Sequence, residues 1–106
     1  MSPLENTIKE KIKNAVLSNI SDAEIFIYGS RARGEASMES DWDVMVITPH
    51  AIAASLKNAI RHALYEVEWD YACVISSIIH SREEWDNPLM KMTPFHRNVT
   101  RDAIRL

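Results

Sequence analysis

A chain of 106 residues has the size of one domain, so a single domain over residues 1–106 is expected, with no separate lobe for a substrate. With 46% hydrophobic and 25% charged residues the composition excludes a disordered or collagenous protein, and a net charge of −3 offers polyanions no attracting field, so nucleic-acid binding is not expected. There is no membrane-spanning run of about 18 apolar residues, no signal-peptide order at the N-terminus, and a single cysteine, Cys73, which together predict a cytoplasmic protein without disulfides.

The first predicted element is an amphipathic helix from Leu4, with Leu4, Ile8, Ile12, Val16 and Ile20 on one stripe. Ser2 and Glu5 have the spacing of a capping box, and Pro3 fits the first helical position. Ile25-Phe26-Ile27-Tyr28 then predicts a short buried strand ending at Gly29. Residues 30–40 are small or polar and predict a short helical turn and a loop. Trp42 to Thr48 predicts a second strand. Thr48 and Pro49 predict the start of a helix whose stripe is Ile52, Leu56, Ala59, Ile60, Ala63, Leu64 and Val67.

Tyr71-Ala72-Cys73-Val74-Ile75, continuing toward Ile79, predicts a third strand, apolar enough to be central. Ser81 with Glu84 offers a second capping box, Asn87-Pro88 interrupts, and Thr93-Pro94 predicts a last helix through Ile104. Helices alternating with strands in this way predict an α/β or α+β fold, a small β-sheet with helices packed on one face.

Chemistry concentrates where the glycines are, because the only two in the chain, Gly29 and Gly34, fall within one short stretch. A glycine at a strand end lets a phosphate approach the main chain, and the amides after it, with the Ser30 hydroxyl, are donors to phosphate oxygens. Asp41 and Asp43 stand two apart at the second strand, so their carboxylates share a face, roughly 6.6 Å apart along the backbone. Paired carboxylates call for a compensating cation, and magnesium is the oxygen-preferring ion commonly held by carboxylates plus substrate phosphates. A two-ion site needs a third carboxylate. Asp70, read as the entrance to the third strand, is the candidate, and alternation leaves Glu66 and Glu68 as rivals on the same face.

Four histidines, His50, His62, His80 and His96, show no ligand spacing and receive no role. Cys73, Trp42 and Trp69 read as core residues of strands, and Trp85, Phe95, Met90 and Met92 as packing of the tail.

The run Gly29-Ser30-Arg31-Ala32-Arg33-Gly34 followed by Ser40-Asp41-Trp42-Asp43-Val44 resembles the G-S-x-A-x-G…S-D-x-D signature of the DNA polymerase β-like nucleotidyltransferases. The short chain is further similar to minimal nucleotidyltransferases, which pair with HEPN-domain toxins as antitoxins. The motif match covers Ile25 to Ile47. The resemblance implies the polymerase β-like fold, a small mixed β-sheet flanked by helices, with Gly29 and Ser30 binding the triphosphate and Asp41, Asp43 and Asp70 binding two Mg²⁺ ions. Asp70 would also help to deprotonate the acceptor, and Arg31 and Arg33 would screen the triphosphate. It implies ATP as donor and transfer of AMP to a hydroxyl, in some members a tyrosine of the HEPN partner. Transfer to a small molecule such as an aminoglycoside, and a binding module whose nucleotide site is dispensable, are the alternatives.

Overall fold

The computed structural model describes residues 1–37 and 40–106. The first helix, α1 (Pro3–Leu17), opens on the expected capping box: the Glu5 N–H donates to Ser2 Oγ and the Ser2 N–H to Glu5 Oε1, each at 3.1 Å. Its stripe Ile8, Ile12 and Val16 is buried. Strands β1 (Glu24–Tyr28) and β2 (Trp42–Thr48) follow, joined through a single 3₁₀ turn at Gly29–Arg31. Then come α2 (Ala54–Tyr71), β3 (Ile75–Ser81), α3 (Arg82–Asp86), α4 (Pro88–Lys91), α5 (Pro94–Asp102) and a two-residue strand, β4 (Ile104–Arg105).

The sheet is mixed, in the order β3-β2-β1-β4: β1 is antiparallel to β2 and β4, and β2 is parallel to β3. Alternation along β2 divides the interior. Trp42, Val44 and Val46 pack against α1 and α2 with Ile25 and Ile27 of β1, whereas Met45 and Ile47 face a second cluster with Trp85 and Val99. Helices therefore cover both faces, where one was expected, because β2 is apolar on both sides and each side must be buried.

Four local expectations are corrected, the first at the tail: the last helix stops at Asp102, and Ile104, expected within it, pairs with Ile27 in β4. The helix after Pro49 starts only at Ala54, since the Thr48 hydroxyl donates to the His50 carbonyl (2.6 Å) instead of accepting from a first turn. Tyr71-Ala72-Cys73-Val74 is no strand: α2 runs through Tyr71 and stops at Ala72, whose φ of 49° is left-handed. Trp69 accordingly lies on α2, 73% exposed and edge-on to Tyr65, and is not a core residue. Among the described residues, no helix is long and apolar enough to cross a membrane.

Candidate active site

Gly29 ends β1 with a φ of +75°, a left-handed value that disfavours any side chain. A Cβ there would also collide with the Asp43 carboxylate, lying 3.2 Å from its Cγ. The glycine thus serves two ends: it turns the chain into the 3₁₀ turn, and it lets Asp43 lie flat against the turn's first residue. The Ser30 N–H lies ahead of the first bonds of the 3₁₀ turn, in the position of a turn's early donors, and is the main-chain donor placed to meet an anion.

Asp43 is half-buried on the sheet face that carries the second cluster, and Asp41 is exposed beside it. Burial raises the Asp43 pKa above the ordinary carboxylate range; the Asp41 charge raises it further, and Arg33 partly opposes both. Its antiparallel neighbour is Tyr28, whose phenol is also pushed up, first by burial and then by Asp43. Tyr28 packs edge-on against Phe95 of α5 at 5.7 Å. It had no place in the sequence reading, although its position beside Gly29 and strand alternation were signals enough to put it there.

The two arginines part company. Arg31 is 7% exposed and turned away from any triphosphate: its Nε and Nη2 donate to the Ser40 carbonyl at 3.1 and 2.7 Å, and Nη1 donates to Glu5 Oε2 at 3.2 Å. Its guanidinium lies 4.3 Å from the Trp42 ring centroid. This replaces the expectation that Arg31 screens phosphates: a guanidinium in this position clamps the start of β2 to α1. Arg33 remains on the site's side, paired with Glu35 (3.1 Å) and with Asp102 at the end of α5 (3.3 Å).

Asp70 is also corrected. It is exposed in the last turn of α2, a helix packed on the face of the sheet that Trp42 and Val44 present, opposite to Asp43. The expected convergence with Asp41 and Asp43 is not formed. Nor do the rivals replace it, since Glu66 pairs with His62 on α2 (3.3 Å) and Glu68 Oε2 accepts from the Ile75 N–H (3.0 Å). Among the described residues no three His, Cys, Asp or Glu side chains gather as a metal site. The residues do fit one divalent cation. Asp41 and Asp43 are paired acids, burial and the Asp41 charge both disfavour the charge on Asp43, and the Ser30 hydroxyl and amide beside them suit phosphate oxygens that complete an ion's shell.

The family model of the nucleotidyltransferase domain matches residues 9–103. The chain belongs to this family. Two solved structures share the nucleotidyltransferase fold with it. One is a crystal structure of a toxin–antitoxin with AMP-PNP, 13% identical, with a TM-score of 0.64 over 92% of this chain and 70% of that one. The other, described only as a candidate nucleotidyltransferase, is 22% identical, with a TM-score of 0.55 over 92% of this chain and 96% of that one. No curated protein is significantly similar to the chain. In this nucleotidyltransferase domain, Gly29 and Ser30 open the 3₁₀ turn that follows β1, and Asp41 and Asp43 stand at the start of β2.

Proposed function

We propose that this nucleotidyltransferase transfers AMP from ATP to a hydroxyl on a partner protein and acts as an antitoxin, the acceptor being a tyrosine of a HEPN-type toxin. The observation that carries the transferase reading is the Asp43 carboxylate seated against Gly29 at the opening of the 3₁₀ turn, with Asp41 beside it. The likeness to a toxin–antitoxin with AMP-PNP supports the nucleotide and the kind of partner.

In the reaction the acceptor oxygen bonds to the α-phosphorus, the bond from that phosphorus to the bridging oxygen breaks, and pyrophosphate leaves with its electron pair. The hydroxyl proton passes to solvent or to a base of the partner. A magnesium ion held by Asp41 and Asp43 supplies charge neutralisation for the triphosphate. The Ser30 hydroxyl and amide bind phosphate oxygens, and Arg33 adds positive charge on the same side. A phenol suits such a site. With no third carboxylate among the described residues to take the acceptor's proton, an acceptor whose pKa is about 10 ionises far more readily than an alcohol.

Incubating the chain with α-labelled ATP, magnesium and the purified toxin should place label on the toxin and abolish its activity. The Asp41→Asn, Asp43→Asn double variant should still bind the toxin and fail to label it. A double variant that neutralises the toxin as well as the native chain would show the nucleotide site to be dispensable. Label released to a small hydroxyl compound, with none on protein, would replace the protein acceptor by a small molecule.

A further inference from the structure

A carboxylate that joins Asp43 in holding a second ion has to come from a strand beside it, because registered neighbours on one sheet face are the side chains that approach closely. The flanks of Asp43 are known from the pairing. On β1 the partner is Tyr28, and on β3 it is Ser76. Two residues further along, the registered pair Met45 and Ile78 meets in the second cluster, which shows that partners on β2 and β3 present their side chains to the same face. Ser76 is therefore on the face of Asp43, at its level and exposed to solvent.

We propose that Ser76 stands where a second ion's carboxylate would have to be, and that the site in consequence holds one divalent cation with the nucleotide, not two. The proposal rests on the nucleotidyltransferase reading and goes beyond it, since it fixes the metal content and the residue that limits it. One ion is sufficient to dock a triphosphate, because magnesium is commonly held by one or two carboxylates with phosphate oxygens. What one ion leaves undone is activation of the acceptor oxygen, which a second ion performs when three carboxylates are available. Among the described residues, the registered neighbours of Asp43 are two hydroxyls, Ser76 and Tyr28, and neither carries charge near neutral pH.

The test counts ions. Native mass spectrometry of the full chain with Mn²⁺ and a nonhydrolysable ATP analogue separates nucleotide-bound chains by the number of manganese ions they carry. The wild-type chain should carry one, and Ser76→Asp, at an exposed position where the fold should accept the change, should carry two. A circular-dichroism melt confirms that the variant is folded, and Ser76→Glu serves if it is not. Two ions on the nucleotide-bound wild-type chain would overturn the proposal, as would folded aspartate and glutamate variants that both remain at one. A wild-type chain that takes up no analogue at all would instead overturn the nucleotidyltransferase reading beneath it.

Discussion

Two influences oppose the ionisation of Asp43, its partial burial first and then the charge of Asp41. A carboxyl whose pKa is raised in the folded state binds its proton more tightly folded than unfolded. Its ionisation therefore removes stability as pH rises from the unfolded pKa through the folded one, and the loss is complete above the folded pKa. Replacing it with the neutral isostere recovers that loss. In metal-free buffer, Asp43→Asn should melt above the wild type by calorimetry at neutral pH, and the gain should shrink as pH falls through the ordinary carboxylate value and the wild-type carboxyl takes up its proton. Equal melting temperatures at pH 7 would mean that the pair carries no electrostatic penalty. Gly29 explains why the strain persists: with hydrogen in place of Cβ, the carboxylate stays against the turn when a larger side chain would push it out. A cation between the two acids is the natural relief, so the features that lower stability are those that favour the ion.

At the scale of elements, Glu5 joins the N-terminus of α1 to the signature loop. Its one oxygen closes the capping box with Ser2, and the other receives Arg31, which reaches on to the Ser40 carbonyl just ahead of Asp41. The Ser2 hydrogen bonds, ahead of Arg31, hold its pKa below the usual carboxylate value. Arg31→Met leaves a carbonyl and a carboxylate without their charged donor and should cost about 2 kcal/mol in urea unfolding, whereas Arg33→Met, at an exposed pair, should cost less than about 1 kcal/mol. A reversed order would show that the buried clamp is not what orders the loop. The contrast was not legible in the sequence, where the two arginines have the same spacing and setting; only the direction of the 3₁₀ turn separates them. The start of α1, the cap at Ser81 and β2 from Trp42 to Thr48 were legible, because each rests on a local pattern that no tertiary contact has to overrule. The end of α2 was not. The helical stripe through Ile60, Leu64 and Val67 continues to Tyr71, while Tyr71 to Ile75 reads equally as an apolar strand, and the left-handed stop falls on Ala72 with no glycine to announce it. Asp70 was misplaced as a direct result, carried from the helix to a strand entrance.

Across the whole molecule the sheet separates two tasks. The face toward α1 and α2 holds the larger apolar cluster, and the face toward α3 and α5 combines a smaller cluster with the acids at the start of β2. The site is thereby joined to the tail as well as to the signature. Tyr28 touches Phe95, and Arg33 reaches Asp102, so α5 braces the loop from the side on which nucleotide would arrive. A ligand that bridges β1, the turn and β2 must stabilise the fold as one unit, since it binds only when these elements are assembled. At an ATP analogue concentration about a hundredfold above its Kd, with magnesium, linkage gives about 2.7 kcal/mol, which for a domain of this size raises the melting temperature by about 10 °C. Differential scanning fluorimetry should show that rise for the wild type and equally for Asp70→Asn, whose side chain lies in the layer behind the sheet. It should show almost none for the Asp41→Asn, Asp43→Asn double variant. A loss of the shift in Asp70→Asn would bring α2 into the nucleotide site and contradict the arrangement of layers, because no path through Trp42 and Val44 connects the two carboxylates.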